Sequence, residues 1–365
     1  MCRPDRHKGL DRIAGVSHTG AMRPAFRRTA LAFCTLIVLP WPVQGPAPSR
    51  AATRFASEIE RLSEPEGSFD TDNLISNERG YLEVIPALVS GGVSGGAYIG
   101  VGPDQNFSYI ARIRPTTAYI IDIRRDNLLL HLLFKALFAR STTRVEYLCR
   151  LTGRAPPRDL TAWRRSTIAQ VTAYVDAQPA TAAAASEIDA AVIAFGVPLS
   201  RADRDTIQRF HRSFIDAGLG LQFHTFGRQP QPYYPTFRDL LLATDASGHT
   251  WNYLASEDDF QFVKGLEARD AVIPVVGNIA GAHAMPAIAE TIAARGIHVS
   301  AFYVSNVESY LYRDGQFARF VENVGRLPRG AHSVIIRSIF GGAGASTSVV
   351  EPMSAPTPRL VPRGR

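Results

Sequence analysis

Two glycines and a distant acid form the most chemically informative pattern in the chain. Gly100 and Gly102 close an apolar run that starts at Ala97, and Asp122 ends a second apolar run twenty residues after Gly102. Glycine lets the backbone pass close to a ligand where a Cβ would collide, and an acid at this spacing accepts hydrogen bonds from a ribose. Because the third glycine of G-x-G-x-x-G is missing, the pattern predicts a nucleotide or nucleoside site rather than a dinucleotide pyrophosphate site.

Apolar periodicity predicts the elements that must position these residues. Five short apolar runs indicate strands, at residues 97–101, 118–122, 272–276, 298–306 and 333–338. A leucine-rich helix over 126–140 is expected to pack on the sheet with little exposed face. Ala-rich helical segments fill the middle of the chain, about 141–270, and are interpreted as a helical insertion. The fold class is therefore α/β, a sheet flanked by helices with an insertion in the middle of the chain.

The loops after these strands resemble the motifs of a known family. Four segments follow the motif order of class I S-adenosylmethionine-dependent methyltransferases: Gly100-Val-Gly102-Pro-Asp104, Asp122, Val276-Gly-Asn278-Ile279 and Tyr303-Val-Ser-Asn306-Val-Glu308. Over about 55–338 the chain resembles an uncharacterised bacterial family with that methyltransferase-like, Rossmann-type core. The resemblance implies that S-adenosylmethionine is bound by Gly100, Gly102, Asp104, Asn106, Asp122, Ile123, Asn278 and Ile279. It implies a small-molecule acceptor, which Asn306 and Glu308 orient or deprotonate.

Other polar residues near the motifs allow two interpretations. Asp104 and Asn106 either contact the ligand or cap the helix that follows them. A polar cluster further upstream either covers the cleft as an N-terminal lid or caps helices; it contains Asp72, Asn73, Asn77 and Glu78. Ser305 is grouped with these residues as a predicted substrate or lid residue, because α/β folds collect functional residues at the carboxyl ends of their strands.

The positive charge of the chain lies at its two ends. The formal net charge is +7, yet residues 1–51 carry eight Lys/Arg against two Asp, and residues 341–365 carry three Arg against one Glu. The body between them is close to neutral, so the basic balance does not indicate a nucleic-acid partner. Residues 341–365, rich in Gly, Ser, Pro and Thr, are predicted to be a disordered tail.

Residues 1–52 have the pattern of an export leader. Met22, the expected true start, opens a basic segment that is followed by the apolar run Thr29–Val43 and by small residues before Thr53. The apolar run is shorter than the roughly 20 residues that span a bilayer. We expect export to the periplasm with no membrane span after cleavage, and the alternative is an uncleaved N-terminal anchor. The α/β domain, with its insertion, is expected over 53–340.

Two functional hypotheses follow from these patterns. The histidines show no metal-ligand spacing, and no serine-hydrolase elbow or Walker A sequence is present, so no metal site is predicted. The first hypothesis is an S-adenosylmethionine-dependent methyltransferase. The second is an exported, non-catalytic ligand-binding protein on the same fold, since this methyl donor is made in the cytoplasm. The sequence does not predict the acceptor or the oligomeric state.

Overall fold

The computed structural model describes residues 50–181, 185–227, 231, 233–341 and 346–353. The strands of this part form one six-stranded sheet. They are β1 (Ala97–Val101), β2 (Thr117–Asp122), β3 (Val272–Val276), β4 (Val299–Ser305), β5 (Arg329–Phe340) and β6 (Ser346–Pro352). Their order across the sheet is β3-β2-β1-β4-β5-β6, with the first five parallel and β6 antiparallel to β5. All five predicted strands are present.

The centre of the sheet is apolar on both faces. Every residue of β1 and β3 is buried, and β2 and β4 leave only their last residues half-buried. Continuous apolar runs of this kind are typical of parallel strands that helices cover on both sides. Gly100 on β1 lies between Ile120 of β2 and Tyr303 of β4. β1 is therefore the middle strand of the parallel part of the sheet, with β2 and β3 on one side and β4 and β5 on the other.

Thirteen α-helices surround the sheet in the described segments. In chain order they are α1 (Arg50–Leu62), α2 (Ile85–Ser90), α3 (Gln105–Ile113), α4 (Arg125–Arg140), α5 (Arg144–Leu151), α6 (Ile168–Ala177), α7 (Ala185–Ala194), α8 (Arg201–Ala217), α9 (Phe237–Leu242), α10 (Glu257–Ala268), α11 (Ala284–Ala294), α12 (Val307–Arg313) and α13 (Phe317–Arg326). Short 3₁₀ turns cover Ala162–Arg165 and Gly218–Gly220. Helices α5 to α10 lie between β2 and β3, where the sequence predicts the insertion.

Helix α4 anchors this helical layer to the sheet. Residues 127–138 of α4 are all buried, as its leucine-rich sequence predicts. The helix packs on β2 and β3 with one side and on α7, α8 and α10 with the others. A second group of helices consists of α1, α11 and α13: α1 packs against β3 and α11, and α11 packs against α13.

Strand β6 corrects the predicted disordered tail. Residues Ser346–Pro352 pair in sequence with residues 340 down to 334 of β5. The prediction of disorder was based on the Gly-, Ser- and Pro-rich composition. It overlooked a short run with β-branched residues, Thr347 to Val350, that has high strand propensity. A long edge strand such as β5 offers unpaired backbone groups, and β6 satisfies them. The rest of the tail lies outside the described residues, except Gly341 and Met353.

The predicted leader lies outside the described residues up to position 49. Helix α1 begins at Arg50, three residues before the predicted domain start at Thr53. In the segments that the structure describes, no helix is both long enough and apolar enough to cross a membrane.

Candidate functional site

A cavity of about 560 Å³ opens at the carboxyl ends of the parallel strands. Residues that follow β1, β2, β3 and β4 all contribute to its wall, so the cavity spans the centre of the sheet. The chain leaves β1 toward β3 on one side and returns to β4 on the other, and ligands of open α/β sheets bind at such reversals. The volume falls in the range of pockets for small molecules and cofactors.

Ten of the predicted site residues line this cavity. They are Gly102, Asp122, Ile123, Asn278, Ile279, Asn73, Asn77, Glu78, Ser305 and Asn306. Asn73 and Ser305 have left-handed backbones, with φ of 51° and 52°. Non-glycine residues adopt this conformation at a cost of about 1–3 kcal/mol, and they cluster at functional sites. The sequence therefore located the cavity, while the roles of individual residues differ from those expected.

The two glycines of the first loop have different functions. Gly102 lines the cavity with φ of 84°, and a Cβ there would lie 3.2 Å from Gln105 Nε2. Gly100 lies outside the cavity wall, and a Cβ there would lie 1.9 Å from Asn106 Oδ1. His131, beneath the loop, donates from Nε2 to the Gly102 carbonyl at 3.0 Å, and burial lowers its pKa to about 4. A side chain at Gly100 would therefore collide with Asn106, whereas the absence of a side chain at Gly102 leaves the cavity wall open at that point.

Asn106 and Asp104 are buried supports of this loop rather than wall residues. Asn106 Nδ2 donates to the carbonyls of Val101 and Pro103, at 3.0 and 2.7 Å, and its Oδ1 accepts from Tyr98 Oη. Asp104 precedes α3 but makes no side-chain cap hydrogen bond. Burial raises the pKa of Asp104 to about 7, opposed by a hydrogen bond from Tyr253 Oη at 3.4 Å. Asp104 therefore does not line the cavity, and its side chain does not cap α3.

Asp122 lines the cavity but is already paired. Arg124 Nη2 donates to Asp122 Oδ2 at 2.9 Å, while Arg124 Nε and backbone N donate to Oδ1 at 3.1 and 2.9 Å. The guanidinium also donates to the carbonyl of Thr71 at 2.9 Å. A carboxylate offers about four acceptor positions, so Oδ2 keeps one for a ligand. Arg124, which the sequence analysis missed, therefore neutralises the acid and ties the upstream segment to β2.

Asn278 lines the cavity with its side chain engaged on both sides. Its Nδ2 donates to Gln316 Oε1 at 2.9 Å, and its Oδ1 accepts from the backbone N of Ala280 at 2.8 Å. Its own backbone N donates to Glu64 Oε1 at 2.7 Å. The other oxygen of Glu64 accepts from the backbone N of Ala284, in the first turn of α11, at 3.1 Å. One lone pair of Asn278 Oδ1 remains for a ligand, and Ile279 supplies an apolar wall.

The two residues predicted to act on the acceptor separate in the structure. Asn306 lines the cavity at the end of β4. Glu308 does not, and its carboxylate pairs with Arg337 of β5, from Nε at 2.6 Å and Nη2 at 3.1 Å. A carboxylate held in this bidentate way has one acceptor position on each oxygen occupied by the guanidinium. Glu308 is therefore a structural ion-pair partner, and the prediction that it acts as a base is corrected.

Glu78 is the carboxyl group that reaches the cavity from the upstream segment. Its side chain is 1% exposed and accepts hydrogen bonds from three hydroxyl groups, those of Tyr303 at 2.6 Å, Ser305 and Ser338. The Ser76 hydroxyl accepts from the Glu78 backbone N at 3.1 Å and fixes the turn. Burial raises the pKa of Glu78, and the three hydroxyl donors oppose the shift. No described Lys, Arg or His lies within ion-pair distance of it.

The upstream polar segment packs against the region between β2 and β3, and Asn73, Asn77 and Glu78 of this segment line the cavity. Thr71 forms an antiparallel bridge with Thr225, in the region between β2 and β3, and Phe226 N donates to Asp70 O at 2.8 Å. Asp72 does not line the cavity, because its carboxylate accepts from the backbone N of His224 at 3.3 Å. The upstream segment and the insertion therefore meet beside the cavity, an arrangement that the lid interpretation requires.

An aromatic wall and a glutamine were missed by the sequence analysis. The wall consists of Phe69, Phe223, Tyr234 and Tyr310, and the Phe69 and Tyr310 rings meet edge to face with centroids 5.1 Å apart. Gln105, the first residue of α3, also lines the cavity. Three of the aromatic residues come from loops and Tyr310 from α12, so residues distant in sequence are brought together by the fold. Among the described residues, no group of three or more His, Cys, Asp and Glu is arranged to hold a metal.

Fold and cavity together define an α/β protein with a small-molecule-sized pocket at the carboxyl edge of its sheet. A model of the family named Domain of unknown function (DUF7790) matches residues 74–180 and 223–355, so the chain belongs to that family. No curated protein matches the chain. The matched residues include Glu78, Gln105 and the loops after β1, β2, β3 and β4. They do not include residues 68–73 of the upstream segment.

Proposed function

We propose that the protein binds an S-adenosylmethionine-type nucleoside in this cavity and transfers its methyl group to a small acceptor. The observation that carries the proposal is that Gly102, Asp122 and Asn278, from three successive strand ends, line one cavity. The sheet order β3-β2-β1-β4-β5-β6 also agrees with the doubly wound arrangement of Rossmann-like folds, although β6 is antiparallel here. More narrowly, we propose that this Rossmann-like sheet is of the methyltransferase type.

The residues in the wall fit the proposed cofactor. Gly102, with no side chain and a positive φ, leaves the first loop open toward the cavity. Asp122 Oδ2 has one acceptor position for a ribose hydroxyl, and Asn278 Oδ1 has one for an adenine amine. Ile123 and Ile279 provide apolar surface for a base. S-adenosylmethionine, when bound, supplies an electrophilic methyl group.

The chain's own contribution is orientation and exclusion of water. Asn306 lies at the end of β4, where its amide can hold an acceptor in line with the cofactor. Holding two reactants in a reactive geometry is worth about 7–11 kcal/mol of a barrier. The upstream segment, tied to β2 through Arg124, keeps bulk water away from the reacting groups.

Calorimetry on the full chain tests the proposal directly. We expect S-adenosylmethionine and S-adenosylhomocysteine to bind, and the absence of heat from both at millimolar concentration would refute the proposal. Removing Asp122 alone would leave Arg124 buried without its partner, which is strongly destabilising. The informative variant is therefore Asp122→Asn with Arg124→Met, and we expect it to weaken nucleoside binding at least about tenfold, the loss of one charged hydrogen bond.

A matched control removes an equivalent pair outside the cavity. Glu308→Gln with Arg337→Met eliminates a similar acid–arginine pair, which bonds at 2.6 Å. We expect the control to keep the nucleoside affinity of the unmodified chain. Equal losses in the two double variants would mean that the effect is on stability, and the site assignment would then be wrong.

A second candidate, an exported ligand-binding protein without catalysis, is favoured by one specific observation. The two acids that the methyltransferase resemblance assigns to ribose binding and to deprotonation, Asp122 and Glu308, are both neutralised by arginines. Native mass spectrometry of the protein as purified would reveal a co-purifying ligand. A bound molecule without a nucleoside would favour this candidate over the first. Fusion of residues 1–52 to an export reporter tests the predicted location separately.

A further inference from the structure

The cavity wall contains a buried carboxyl group, Glu78, to which the described residues supply no ion-pair partner. Two other acids described above differ from it, because Asp122 pairs with Arg124 and Glu308 with Arg337. Glu78 accepts three hydroxyl hydrogen bonds and has no ion pair within 4.0 Å in the described residues. Hydroxyl dipoles stabilise a carboxylate without cancelling its charge, and a buried charge is costly unless it is paired. A positive group of a ligand would supply that pairing.

Gln105 supplies an independent observation beside Glu78. Its Nε2 donates to Tyr303 Oη at 3.4 Å, and Tyr303 in turn donates to Glu78, so the two side chains share one network. Gln105 is 6% exposed and lines the cavity, yet its Oε1 has no hydrogen-bond partner. Most buried polar atoms in proteins have a hydrogen-bond partner, and a donor group of a ligand in the cavity would supply one to this oxygen.

From the two acceptors, Glu78 and Gln105, we infer that this side of the cavity is a subsite for a positively charged ligand group. The left-handed backbone of Ser305, which brings its hydroxyl to Glu78, is consistent with a built site. The subsite faces β4 and β5, away from Asp122 and Asn278. This inference rests on the proposed function, because both sources of the cation are defined relative to the proposed cofactor. They are the sulfonium of the cofactor and an ammonium group beside it.

Three related probes distinguish the sources. S-adenosylmethionine carries a fixed positive charge, sinefungin carries a protonated amine on the carbon that replaces the methylated sulfur, and S-adenosylhomocysteine is neutral there. Calorimetry on the full chain should give an affinity for at least one charged probe about tenfold above that for the neutral one, the usual effect of a charged partner. Preference for S-adenosylmethionine alone identifies the sulfonium, and preference for sinefungin alone identifies an ammonium group.

Glu78→Gln should abolish this preference, because the charged probes lose the carboxylate that distinguishes them from S-adenosylhomocysteine. Glu83→Gln, an exposed carboxylate on the same segment, is the matched control and should keep the preference. Gln105→Leu, which leaves no buried charge, is the second variant should Glu78→Gln not fold, and it should reduce the preference. Melting temperatures verify folding of each variant.

The outcomes separate the two proposals. If all three probes bind the unmodified chain with equal affinity, and Glu78→Gln keeps that affinity for the α-ammonium group that they share, the cation subsite is wrong while nucleoside binding stands. If the preference survives in folded Glu78→Gln, the subsite is also wrong. If none of the three binds, the proposed function is refuted, and the cation subsite as stated here falls with it.

Discussion

Asp104→Asn should make the protein more stable at alkaline pH, because Asp104 is a carboxyl group that the fold keeps away from water. Its side chain is buried beneath the first loop, and its hydrogen bond from Tyr253 Oη is long, at 3.4 Å. Burial raises its pKa from an ordinary value of 3.8 to about 7. The folded protein therefore binds this proton more tightly than the unfolded chain does.

The direction of the pH effect follows from proton linkage. Between pH 4 and pH 7 the folded state holds more protons at Asp104 than the unfolded state, so the free energy of unfolding falls as pH rises. Each pKa unit corresponds to about 1.36 kcal/mol, so ionisation of Asp104 lowers stability by about 3 kcal/mol between pH 5 and pH 8. Asparagine has the same shape and carries no charge, so the variant should not show this loss.

Urea unfolding of both proteins at pH 5 and pH 8 measures the effect. The stability of Asp104→Asn relative to the unmodified chain should rise by about 3 kcal/mol between the two pH values. Burial also raises the pKa of Glu267 to about 7, but Glu267 is present in both proteins and cancels in the difference. Glu290→Gln, an exposed carboxylate on α11, is the control and should show no such change. A pH-independent difference between Asp104→Asn and the unmodified chain would refute the reasoning.

Two further predictions concern charged groups that hold the scaffold. Lys135→Met should lower the free energy of unfolding by about 3–5 kcal/mol, because it leaves Glu267, 3.5 Å from Lys135 Nζ, buried without its cation. Adding Glu267→Gln to this variant should restore most of the lost stability. The absence of any recovery would contradict this account. Glu64→Ala should cost about 1–2 kcal/mol, since the backbone N–H groups of Asn278 and Ala284 lose their acceptor; thermal unfolding measures it, and an unchanged melting temperature would show that the cap is not needed.

The sheet could be predicted because its strands carry a strong local signal. The apolar runs at β1 to β5 are bounded by glycine and polar residues, and the leucine-rich α4 is buried throughout, as its composition requires. Strand β6 was missed because its short β-branched run is embedded in Gly-, Ser- and Pro-rich sequence. What decides its structure is the open edge of β5, and a property of a distant strand leaves no local trace in the sequence.

The position of the site could be predicted more reliably than the roles of its residues. Parallel strands bring their carboxyl ends to one edge, so strand assignments alone place Gly102, Asp122 and Asn278 together. A role depends on what a side chain contacts, and those contacts come from distant parts of the chain. Asn106 supports the loop, Gly100 makes room for Asn106, and Arg337, 29 residues from Glu308, takes the carboxylate expected to act as a base.

The location of unpaired charge is the strongest physical constraint on the chemistry of this cavity. An arginine bonded to both oxygens of a carboxylate occupies acceptor positions that a ligand would use. Asp122 is in that state, so it contributes a single acceptor position rather than a full charge. The carboxylate of Glu78 accepts hydrogen bonds from hydroxyl groups alone, so no described residue supplies it with a cation. Because electrostatic effects are larger where water is excluded, we expect a positively charged ligand group to bind more strongly on the Glu78 side of the cavity, beside β4 and β5.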